Sequence, residues 1–132
     1  MTSDEAKPGE VTFTLAWEAD NGALHGVLEA VNVTDHPVRL SSKPGVTPIG
    51  LDGEPLSAET VVSLEMRLPG YVELPPGARA TSTISWYAWD GPPAGDHARI
   101  TWPGGEAEAP VTGPSQPTNR DGATNLSSTW FD

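Results

Sequence analysis

Nowhere in this 132-residue chain do ten consecutive residues combine helical periodicity with freedom from glycine and proline, and that feature removes helical architectures from consideration. The 14 glycines and 14 prolines recur between short apolar stretches, where they supply the backbone angles of tight turns. A chain so punctuated covers a core with short strands, and negligible helix is expected.

The firmest strand is Val11-Thr12-Phe13-Thr14-Leu15-Ala16-Trp17, where alternate large apolar residues place Val11, Phe13, Leu15 and Trp17 on one buried face. Asp20-Asn21-Gly22 follows, and Asn-Gly provides the positive φ angles of a two-residue hairpin turn. The returning stretch Leu24 to Val33 is apolar on both parities, which reads as a central strand covered on both faces for part of its length. Thr34-Asp35-His36-Pro37 reverses the chain into Val38-Arg39-Leu40. Val46 to Leu51 leads to a second hairpin signal at Asp52-Gly53, and Val61 to Met66 is rich in β-branched residues. Tyr71 to Leu74 runs into Pro75-Pro76-Gly77, a type II turn signature. Ala78 to Trp86, Ala98 to Trp102 and, after Pro103-Gly104-Gly105, Ala107 to Val111 complete the set. Turn signals every eight to twelve residues or so predict an all-β fold: an immunoglobulin-like antiparallel β-sandwich of about seven to nine short strands. Leu28, Leu40, Ile84 and Ile100 are further core candidates.

The length suits one domain. Residues 1–9 read as a flexible N-terminal arm, 10–112 as the sandwich and 113–132 as a flexible C-terminal tail whose Trp130-Phe131 docks on the domain or on a partner. Eighteen acidic against seven basic residues give a formal charge of -11, which opposes nucleic acid and anionic membranes and suits a soluble, monomeric chain. The absence of cysteine excludes disulfides, thiolate nucleophiles and Cys-based metal sites. Met1-Thr2-Ser3-Asp4-Glu5 carries no export signal and no apolar run is long enough to span a membrane, so as written the chain reads as cytoplasmic; as a processed fragment it would be secreted or cell-surface.

Several landmarks in order carry a resemblance: Gly26 to Leu40, Lys43-Pro44-Gly45-Val46, Leu51 to Leu56, Leu74 to Ala80 and Trp86-Tyr87-Ala88-Trp89. Over roughly Val11 to Val111 the chain resembles a small actinobacterial domain-of-unknown-function family (family 4232 type), an immunoglobulin-like sandwich often found on secreted lipoproteins. Members often carry a Cys pair and an export signal, and this chain has neither. The resemblance implies a fold and transfers no functional residue.

The chain has no Gly-x-Ser-x-Gly elbow, no Walker or dinucleotide glycine motif and no EF-hand ladder. His25, His36 and His97 share no metal-ligand spacing, so neither metal nor cofactor is expected. The feature that stands out is Trp86-Tyr87-Ala88-Trp89-Asp90 before Gly91-Pro92-Pro93-Ala94-Gly95. Alternation sends Trp86 and Tyr87 to opposite faces; Trp86 is assigned to the core, and either the other aromatics cover the open end of the sandwich or Trp89 and Asp90, with Tyr87 and His97 as neighbours, form the ligand- or partner-binding site. The leading reading is a non-enzymatic binding or protein-interaction module for a protein or small ligand. The alternatives are a hydrolase using Asp90 or Asp96 with His97, and a structural assembly component.

Overall fold

The computed structural model describes residues 4–56, 70–121 and 124–132. These form ten strands: β1 (Asp4–Glu5), β2 (Val11–Asp20), β3 (Ala23–Asn32), β4 (Val38–Ser41), β5 (Gly45–Gly50), β6 (Tyr71–Leu74), β7 (Arg79–Trp86), β8 (Ala94–Trp102), β9 (Gly105–Thr112) and β10 (Leu126–Ser128). The segment Val61 to Met66, expected as a strand, lies outside the described residues. Among the described residues no helix is long and apolar enough to cross a membrane.

The strands make two sheets, a seven-stranded one in the order β10-β7-β3-β2-β9-β8-β5 and a three-stranded one in the order β1-β4-β6. Most neighbours are antiparallel; β1 with β4 and β2 with β9 run parallel. The larger sheet curls until its end strands approach, and Ser128 Oγ donates to the carbonyl of Pro44 just before β5 at 2.6 Å. The arrangement is a sandwich with a barrel-like long sheet. The small sheet lies on the core through Val38, Leu40 and Leu74, and Trp102 Nε1 donates to Ala6 O at 2.7 Å to tie it to β8.

Local chemistry explains the turns. Asn21 (φ 50°) and Gly22 (φ 87°) close the β2–β3 hairpin with Asp20 opposite Ala23, as a type I′ turn requires. Ala78 N donates to Pro75 O at 2.9 Å across the Pro75-Pro76-Gly77 turn. Val11, Phe13, Leu15 and Trp17 are buried as the alternation predicts, and so are Leu28, Leu40, Ile84 and Ile100.

On β2, Phe13 and Trp17 anchor two aromatic clusters about 13 Å apart. Phe13 lies 5.1 Å from Trp102 and 6.3 Å from Phe131, while Trp86 lies 6.1 Å from Trp17 and 5.6 Å from Trp89. A buried Asn32 joins β3 to the small sheet: its Nδ2 donates to His36 O and Leu74 O, and its Oδ1 accepts from Thr34 N and Thr34 Oγ1. All of its hydrogen-bonding capacity is used, which makes burying an amide tolerable.

Three expectations are corrected. β3 is covered on one face: Leu24, Leu28 and Ala30 point inward, whereas Val27 is half-exposed, with nothing among the described residues covering it. Residues 4–6 of the expected arm pair with β4 and bury Ala6. The expected tail contributes β10, which pairs with β7 from Leu126 opposite Trp86 to Ser128 opposite Ile84, and the pairing continues through Thr129 to Asp132 on Thr83 and Thr81. Leu126 and Phe131 fill the core, and Ser82 Oγ, itself buried, donates to Thr129 O at 2.6 Å. A polar segment whose large apolar residues are Leu126, Trp130 and Phe131 reads as a tail until an open strand edge is there to receive it.

Phe131→Ala is therefore expected to cost roughly 3–5 kcal/mol, as loss of a buried aromatic does, and removal of residues 126–132 to abolish cooperative thermal unfolding. A melting transition unchanged by either would show that the segment is not part of the core.

Candidate functional site

The most distinctive local geometry lies where β5, β8 and β9 part. Pro48 pairs with Ala98, yet Gly50 pairs with Ala94, so β8 holds three residues, Gly95, Asp96 and His97, opposite the single Ile49. Such a bulge breaks the ladder and re-aims its side chains. Gly95 sits at its base because a Cβ there would press on the carbonyls of Gly50 and Ile49 at 3.2 and 3.3 Å. Pairing between β8 and β9 ends at His97–Pro110, where proline has no N–H to donate, and β9 passes to β2 through Val111 opposite Leu15.

Two clefts open at this parting. One, of about 380 Å³, is walled by Ala94, Val111, Gly113 and Pro114; the other, of about 280 Å³, by Ile49, His97 and Glu108. They share Gly50, Leu51 and Asp96, so together they form one groove with Leu51 as the ridge. Leu51 is 76% exposed at the start of the turn Leu51 to Gly53, not within a strand as expected. Asp96 Oδ1 and His97 Nδ1 are 2.7 Å apart, and both side chains face solvent. The groove thus combines an apolar ridge, carboxylates and an imidazole.

The expected site is divided by the structure. His97 belongs to the groove. Trp89 does not present an open indole face: it is buried at 7% exposure, its Nε1 donates to Pro92 O at 2.7 Å, and Gly91 lies so close to its ring that a Cβ would overlap it. The Gly-Pro-Pro sequence folds back over the indole and covers it. Trp86 is wholly buried, as assigned. Asp90 is exposed and makes no hydrogen bond among the described residues. Tyr87 is exposed and meets His25, not His97, edge to face at 5.8 Å, while His25 Nδ1 lies 3.1 Å from Ser85 Oγ and Nε2 3.5 Å from Asp20 Oδ2. The strand expected at Ala98–Trp102 begins four residues earlier, at Ala94, and His97 stands in its bulge. Leu51 and Glu108 were missed because each looked like ordinary strand or turn surface.

His36 forms a third polar cluster, with Nδ1 3.2 Å from Asp35 Oδ1 and Nε2 3.1 Å from Glu10 Oε2. The hydrogen bond to Asp35, then that to Glu10, raise the His36 pKa above its ordinary value. Asp35 is lowered chiefly by His36, and Glu10 chiefly by its hydrogen bond from the Lys7 backbone and then by His36. Among the described residues no group of three or more His, Asp or Glu is placed to hold a metal ion.

An all-β domain with an open, polar-walled groove is the class that fold and site define. The chain belongs to the family described as a domain of unknown function (DUF4232), whose family model matches residues 7–130. Neither the curated proteins nor the solved structures compared with the chain give a match.

In an NMR titration His36 should show a midpoint above the usual imidazole value of about 6.5. Glu10→Gln should bring it down, and an unmoved midpoint would remove the ion pair. A raised His36 stabilises the fold below its unfolded value and loses that contribution as pH rises through the folded one, while the lowered carboxylates act above their unfolded values. The cluster therefore contributes between the carboxylate range and the His36 midpoint. Trp89→Ala, buried as the indole is, should cost about 3 kcal/mol or more in thermal unfolding; a loss under about 1 kcal/mol would return Trp89 to the surface.

Proposed function

We propose that this chain is a non-enzymatic binding module and that its binding surface is the groove around Leu51, Asp96 and His97, with a polypeptide partner as occupant. The observation that supports this best is the β8 bulge, which turns Asp96 and His97 out of pairing with β5 beside a leucine that folding leaves in water. An exposed leucine on a ridge between two clefts is a ready anchor for an apolar side chain, and the carboxylates at its flank supply polar acceptors. The excess of acidic residues favours partners that are not themselves acidic.

The hydrolase alternative would draw on the 2.7 Å Asp96–His97 pair. The pair lies in the open, and among the described residues no serine or threonine hydroxyl is hydrogen-bonded to that imidazole. Acyl transfer needs a nucleophile within reach of its base, so the geometry favours binding over turnover.

Displayed random peptides selected on the full chain provide the test. Leu51→Asp should weaken the recovered binders by roughly tenfold or more without lowering the melting temperature, and Tyr87→Ala should leave them bound. Binders indifferent to Leu51→Asp, or His97-dependent turnover of chromogenic esters or glycosides, would overturn the reading.

A further inference from the structure

Resting on that reading of the groove, we propose that its occupant is an extended segment that sets one basic and one apolar side chain on the same face. The two clefts differ in chemistry. The larger is walled by Ala94, Val111 and Pro114 beside Leu51, which suits an aliphatic or aromatic side chain. The smaller adds His97 and Glu108, with Asp96 common to both.

Asp96 Oδ1 lies 2.7 Å from His97 Nδ1, and the carboxylate has a second oxygen, Oδ2, able to accept from an incoming donor. Asp96, common to both clefts, is the acceptor for the basic side chain, with Glu108 on the wall of the smaller one. Asp52 and Glu54 are exposed on the turn beyond Leu51 and extend the negative field, within a chain whose net charge is -11.

The two clefts are adjacent, since they share three lining residues. Side chains two positions apart in an extended chain lie on one face about 7 Å from each other, a spacing that neighbouring clefts can take. Recognition proceeds through side chains and not by adding a strand: the outer edge of β5 is already occupied, with Leu56 N donating to Pro48 O and Gly50 N to Glu54 O. Nucleic acid and acidic peptides meet a like-charged wall.

The experiment uses the isotope-labelled full chain and three capped peptides: Thr-Arg-Thr-Leu-Thr and the same sequence with glutamine or glutamate in place of arginine. The arginine peptide should shift the amides of Gly50, Leu51, Gly95 and Asp96 saturably, at least about tenfold more tightly than the glutamine peptide, while the glutamate peptide stays silent. Asp96→Asn should erase the difference between the first two, and added salt should narrow it. If all three peptides bind the groove alike, the basic side chain is not what it selects, and the proposal falls while the groove remains a binding surface. If none moves a groove amide, the proposal and the polypeptide reading of the groove fall together.

Discussion

The transfer of β9 from one neighbour to another is the constraint on which both the fold and the groove depend. Through Gly105 to Pro110 it is hydrogen-bonded to β8, and through Val111 and Thr112 it runs parallel to β2. Without the second pairing, β5, β8 and β9 would be a separate three-stranded sheet. With it, seven strands are continuous and the sheet curls far enough for β10 to reach β5. The same transfer takes β9 from the bulge at Gly95 to His97 toward β2, so the feature that unifies the sheet also opens the seam at the groove.

Local pattern revealed most of the strands and little of what joins them. The alternation from Val11 to Trp17 and the Asn21-Gly22 turn were legible because each is settled by neighbours in sequence. The bulge was not, since it is a mismatch in count between β5 and β8 that exists only once those strands are in register. Leu51 looked like the last residue of a strand, and pairing at Gly50 stops one residue short of it. Trp89 looked exposed because alternation runs out there, yet Gly91 and Pro92 wrap it, a contact decided by the path of the loop. Of the residues singled out in advance, His97 entered the groove, and Tyr87 and Asp90 remained at the surface elsewhere.

The acidic surface gains a more definite meaning in this frame. A net charge of -11 by itself describes a diffuse negative field. Asp96, displaced from pairing with β5 and bonded to His97 through one oxygen, places part of that diffuse charge beside the exposed Leu51. The His36 cluster shows the contrast: there both imidazole nitrogens are engaged by Asp35 and Glu10, and the carboxylates stabilise the fold.

The position of β10 has a consequence for how the protein is made. Phe13 and Phe131, separated by almost the whole chain, belong to one aromatic cluster, and the edge of β7 is complete only when Leu126 to Asp132 has been laid along it. During synthesis every earlier strand can emerge from the ribosome while that edge is still unpaired and the space for Phe131 is still empty. Contacts of such long sequence separation form late and slow the search for the native state. A nascent chain halted before residue 126 would present an open strand edge and apolar surface to its neighbours, the condition under which aggregation competes with folding.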